Sequence, residues 1–124
     1  MFFAYWMVLV AAILPYLCAA YAKRGEGDNH APRLFAETLT GARLRAEWAQ
    51  RNHFEIFPIF AAATIIAGIS GAAHPAVNQL TGAFVATRIL YTIAYVTDRA
   101  TLRSLLFMLG ALCIVGLFVV AGIA

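Results

Sequence analysis

Charge is scarce in this chain. Asp, Glu, Lys and Arg make up 12% of its 124 residues, against roughly 25% in an ordinary soluble domain. A water-soluble domain of this length leaves much of its surface exposed, so it could not hide a composition that is 63% hydrophobic. Cysteine is nearly absent too. The two present, Cys18 and Cys113, each sit inside an apolar run with no CxxC or metal-like spacing. They read as inert, membrane-buried thiols, and no metal is expected. There is no Ser-His-Asp set, no HExxH and no phosphate loop. Internal repeats and low-complexity segments are also missing. His30, His53 and His74 are scattered, and a lone histidine is a weak sign of chemistry.

What is present is apolar sequence in four blocks. At roughly 20 residues per membrane span, four spans and their connections consume the chain. The expected fold is therefore all-α, a transmembrane four-helix bundle forming one domain over residues 1–124. Its helices are predicted at about 1–22, 38–73, 76–96 and 101–124. No Lys or Arg precedes the first apolar run, while Lys23 and Arg24 follow it. That order is wrong for a cleaved secretory signal, so the first helix is expected to be retained. Pro15 lies inside it and Pro58 inside the second, a placement that membrane helices tolerate. The stretch 23–37 is dense in Gly, Asn, Asp and Pro and reads as a loop. Thr40 is the predicted N-cap of the next helix.

The net charge is +3, and its distribution reports topology rather than a nucleic-acid partner. Lys23, Arg24, Arg33, Arg43, Arg45 and Arg51 fall in the first connection and the entry to the second helix. Arg99 and Arg103 fall at the third connection. The second connection and both termini hold no Lys or Arg. The first and third connections lie on one side of a four-span protein. The positive-inside rule makes that side cytoplasmic and puts both termini outside, as in a bacterial inner membrane.

Charges at membrane depth cost about 2.5–3.5 kcal/mol each on insertion scales and are functional candidates by default. Glu55 and Arg88 are the two clear ones. Arg45, Trp48, Asn52 and Glu55 step by 3, 4 and 3 residues, one stripe of a helix. Arg51 lies on a neighbouring face. Arg88, Tyr91, Tyr95 and Arg99 form a second stripe, with Glu55 the nearest obvious counter-charge for Arg88. These stripes describe a polar ligand groove near the cytoplasmic surface, or else interhelical glue; for the tyrosines the other reading is an interfacial belt. Arg103, at the start of the fourth helix, reads as a ligand-binding cation or as an interface anchor. A site of Arg, Asn, Glu and Tyr suits a small zwitterionic or anionic ligand. An Arg beside a thiol favours its reactive thiolate.

The run Arg51-Asn52-His53-Phe54-Glu55-Ile56-Phe57-Pro58 resembles the NxxE-x-x-P signature of the MAPEG family, the membrane-associated proteins of eicosanoid and glutathione metabolism. The run from Arg88 through Tyr91 to Tyr95 resembles its RxxYxxxY segment, and Leu102-Arg103-Ser104 resembles the opening of its fourth helix. The resemblance covers essentially the whole chain and is closest to bacterial-type members. It implies a homotrimer with glutathione, as co-substrate, held between helices of adjacent subunits near the cytoplasmic side. It implies glutathione contacts from Asn52 and Glu55, with Tyr91 and Tyr95 lining the site. Arg45, Arg51 and Arg88 are the further binding candidates, and Arg103 is the candidate catalytic residue stabilising the thiolate. The implied activity is glutathione transfer to lipophilic electrophiles or reduction of lipid hydroperoxides, with the bilayer delivering the second substrate. Trp48 stands where eukaryotic enzymes of the family carry Arg. Two other readings stay open: a small four-span transporter using Glu55, and a protein of this fold without catalytic activity.

Overall fold

The computed structural model describes residues 2–24 and 29–124. Among these residues there are five helices: α1 (Phe3–Lys23), α2 (Pro32–Ala36), α3 (Gly41–Ile69), α4 (His74–Val96) and α5 (Ala100–Gly122). The four long helices form a bundle. α1 packs on α3 and α4, α3 on α4 and α5, and α4 on α5.

Local chemistry explains the ends. The long polar connection contains the short helix α2, opened by Pro32 in its first turn, where a missing N–H costs nothing. The Thr38 hydroxyl donates to the Phe35 carbonyl at 2.7 Å. Thr38 therefore closes α2, and α3 starts three residues later than the predicted 38. Thr40 occupies the N-cap position as expected, but its side chain makes no capping bond. Gly41 follows at φ 62°, a backbone that glycine adopts without a Cβ clash. α3 runs through Pro58 and α1 through Pro15 without a break. Beyond Ser70, Gly71 at φ 82° turns the chain into α4, whose first turn accommodates Pro75. The turn expected over Gly25, Glu26, Gly27 and Asp28 lies outside the described residues.

Three helices, α1, α3 and α5, are long and apolar enough to cross a membrane. Their outward faces carry large apolar side chains such as Leu9, Leu17, Ile65, Leu105, Leu109 and Leu112. Water would not tolerate so large an apolar surface, and lipid is its proper solvent; this is an integral membrane protein. α4 is as long, at 23 residues, but is interrupted by Asn78, Gln79, Thr81, Thr87, Arg88, Tyr91, Thr92 and Tyr95. In lipid there is little hydrophobic drive between helices, so close packing supplies the cohesion. Small residues fill the contacts accordingly: Ala4, Ala46, Ala49, Ala63, Ala67 and Ala94 are buried. The Phe60 and Phe84 rings stack at 3.9 Å in the middle of the bundle.

Arginines tie one end together. Arg43 donates from Nε to the Ala22 carbonyl at 2.6 Å and from Nη2 to that of Lys23 at 2.8 Å. Arg45 Nε donates to the Val96 carbonyl at 3.1 Å. The last turn of a helix leaves carbonyls without intrahelical partners, and cations suit that negative end. The end of α1, the start of α3 and the end of α4 are thereby joined into one basic end.

Candidate functional site

The site is built at that basic end from three helices. α3 contributes Asn52, α4 contributes Tyr91 and Tyr95, and the first turn of α5 contributes Arg103. With Ser104, Phe107 and Met108 they line a cavity of about 390 Å³. A second groove, of about 330 Å³, runs on between α3 and α5. Glu55 lies in it with Ile56, Ile59, Ala111 and Ile114, and it shares Asn52 and Phe107 with the first. The two therefore make one trough with a polar head and an apolar tail.

The walls are aromatic and cationic. The Arg103 guanidinium lies 4.7 Å from the Tyr95 ring centre. Tyr95 meets Tyr91 edge to face at 5.6 Å, and Arg88 lies 4.0 Å over the opposite partner, the Tyr91 ring. Each ring face is a favourable seat for a cation, so the stack fixes two arginines and two tyrosines relative to one another.

Behind this wall lies a buried polar network. Arg88 is 1% exposed. Its Nη2 donates to Asn52 Oδ1 at 2.8 Å, and its Nε and Nη2 approach His53 Nδ1 at 3.3 and 3.0 Å. His53 Nε2 lies 2.8 Å from the Thr92 hydroxyl, which in turn donates to the Arg88 carbonyl at 2.9 Å. A hydroxyl has one proton. Since Thr92 gives its proton to Arg88, it must accept from His53, so His53 carries its proton on Nε2 and offers its Nδ1 lone pair to Arg88. The same bookkeeping orients Asn52. With Oδ1 committed to Arg88, the amide presents its NH₂ edge to the cavity. The polar head thus offers donors: the Asn52 amide, the Arg103 guanidinium and two phenols. Such a set suits an anionic group.

This differs from the sequence reading in two respects. Glu55 is not the counter-charge of Arg88; that place is taken by Asn52 and His53. A step of three residues rotates the side chain by about 60° from Asn52 around the helix, and Glu55 is exposed in the adjoining groove. Two other predicted residues, Arg45 and Arg51, lie apart from the cavity. Arg45 holds the Val96 carbonyl. Arg51 is 60% exposed and pairs with Glu47 at 3.5 Å one turn back, and it does not line the cavity. Trp48 approaches Tyr95 at 6.5 Å. Two participants were not singled out from the sequence: His53 and Thr92. For His53 a signal existed, because Ala46, Ala49, His53, Ile56 and Phe60 recur at 3, 4, 3 and 4 residues. A histidine on the buried stripe of a membrane helix needs polar partners. Thr92 carried no comparable mark.

Comparison with known proteins adds one finding. A family model described as MAPEG family matches residues 3–123, nearly the whole chain. Neither a curated protein nor a solved structure matches it.

Proposed function

This chain belongs to the MAPEG family, and from that premise we propose that it is a four-span, homotrimeric membrane enzyme that binds glutathione and delivers its thiolate to lipophilic substrates. The observation that carries the reading is the convergence of Asn52, Tyr91, Tyr95 and Arg103 on one cavity whose polar groups face inward as donors. The donors suit the carboxylate and thiolate of the tripeptide. Glu55, in the adjoining groove, suits its ammonium group. The apolar continuation past Ile56, Ile59 and Ala111 suits a greasy second substrate arriving from the bilayer.

In this reading Arg103 stabilises the thiolate by direct charge. The thiolate sulfur attacks an electrophilic carbon, a C–S bond forms, and the displaced pair leaves with the departing group. With a lipid hydroperoxide the thiolate instead attacks the terminal oxygen and the O–O bond breaks; the alkoxide takes a proton and leaves as the alcohol, and the sulfenic acid formed on glutathione condenses with a second glutathione to give the disulfide and water. No metal takes part.

The test is retention of the detergent-solubilised protein on immobilised glutathione, with conjugation assayed alongside. The wild type is expected to be retained and to turn over. Arg103→Ala should lose about 10²–10³-fold in kcat, the scale of removing one charge-stabilising donor. Protein that neither binds nor turns over glutathione would end the enzyme reading. For orientation, we infer that the basic end faces the cytoplasm of a bacterial inner membrane, with both termini outside. A cysteine replacing Ala73 should then react with an impermeant thiol reagent applied from outside, and one replacing Thr101 should not; the reverse pattern would invert the topology.

A further inference from the structure

A second cavity opens on a different face of the bundle. It lies between α1 and α4 with Ala46 of α3 at its floor, holds about 360 Å³, and is lined by Leu14, Leu17, Ile89, Ile93 and Val96 among others. From Leu14 to Tyr21 it follows seven residues of α1, roughly 10 Å at 1.5 Å per residue. That is about two-thirds of one leaflet of a hydrocarbon core about 30 Å thick.

Two observations say what fills it. Its two threonine hydroxyls are already spent. Thr92 accepts from His53 and donates to the Arg88 carbonyl, and Thr97 donates to the Ile93 carbonyl at 2.7 Å. An ordered water needs two to four polar partners, and these walls offer almost none, so the slot calls for an apolar occupant. Its upper end, by contrast, is basic. Arg24 lies 4.3 Å over the ring of Tyr21, and Arg45 is bonded to the Val96 carbonyl; Tyr21 and Val96 both line the slot. Lys23 and Arg43 stand at the same end, where Arg43 holds the last carbonyls of α1. The acids of the two connections at this end, Glu26, Asp28, Glu37 and Asp98, are outnumbered by Lys23, Arg24, Arg33, Arg43, Arg45, Arg99 and Arg103.

We propose that this slot binds one acyl chain of an anionic phospholipid, with the headgroup phosphate held by Arg24 and Arg45. Basic pockets between membrane helices on the cytoplasmic side recognise anionic headgroups through the same chemistry. The site is separate from the trough between α3 and α5, and it does not depend on glutathione chemistry.

Native mass spectrometry of the detergent-solubilised protein tests it, with dioleoyl phosphatidylglycerol and dioleoyl phosphatidylcholine titrated in parallel. Phosphatidylglycerol is expected to bind at least tenfold more tightly. Arg24→Gln combined with Arg45→Gln should bring its affinity down to that of phosphatidylcholine. Ile93→Trp should fill the slot and lower phosphatidylglycerol binding about tenfold. Leu17→Trp, from the opposite wall, should do the same and covers the case in which Ile93→Trp fails to fold, as judged by helical circular dichroism. Ile69→Trp, at the far end, should change nothing. Equal binding of the two lipids, or unchanged binding in both folded tryptophan variants, overturns the proposal. So does competition by glycerol phosphate as strong as by the whole lipid, since the acyl slot would then contribute nothing.

Discussion

Arg88→Met should lower the unfolding free energy by about 2–4 kcal/mol, measured by denaturant or thermal unfolding in detergent. Methionine roughly keeps the volume of the chain, so a cavity is not the cause. The cost comes from the acceptors left behind. Asn52 Oδ1 and His53 Nδ1 both receive protons from Arg88, and each buried acceptor without a partner costs about 1–3 kcal/mol. Part is offset, because Arg88 is itself fully buried and its Nη1 has no hydrogen-bond partner among the described residues. Adding His53→Leu removes one orphaned acceptor together with its donor. The double variant should therefore be less destabilised than the sum of the singles, by about 1 kcal/mol or more. Strict additivity would mean that the two side chains do not act as one unit.

Asn52→Asp should separate folding from binding. A carboxylate keeps the bond to Arg88 and strengthens it with charge, so unfolding should be unchanged or slightly later. At the cavity the effect reverses. The amide's NH₂ edge becomes a negatively charged oxygen, and a donor becomes a repulsive acceptor. Losing a hydrogen bond to a charged group costs about 1.5–3 kcal/mol, or roughly 10–100-fold in affinity, before repulsion is counted. Glutathione affinity, read by calorimetry on the detergent-solubilised protein, should therefore fall by at least that much in a fully folded variant. If Asn52 instead reads an ammonium group, Asn52→Asp would bind more tightly, and the donor orientation derived from Arg88 would be wrong.

The degree to which the site was legible follows from what each residue contributes. Asn52 and Glu55, or Arg88, Tyr91 and Tyr95, are related by helical spacing alone, so their sharing a stripe is visible in one dimension. Arg103 could be aligned only by resemblance, because it is on another helix. The pairing of Arg88 was misjudged for a related reason. Opposite charge pointed to Glu55, whereas the rotation of α3 against α4 brings Asn52 and His53 to the guanidinium. A buried arginine satisfied by an amide and an imidazole leaves no charge pattern to read.

By itself the sequence determined that the chain is helical and lives in lipid. Those are properties of composition and period: apolar runs of span length, few charges, and cations confined to the connections. It also determined which end is basic, since up-and-down connectivity returns the first and third connections to one side. The tertiary structure alone decided what those residues do. It placed the expected polar groove as a donor-lined trough between α3 and α5, and it opened an apolar slot between α1 and α4 that the sequence did not announce. It turned Asn52 so that its amide faces the cavity, and it buried His53 as the link between them. Each of these depends on the relative rotation and separation of whole helices, set by small side chains packing across the bundle, and that information is not local in the chain.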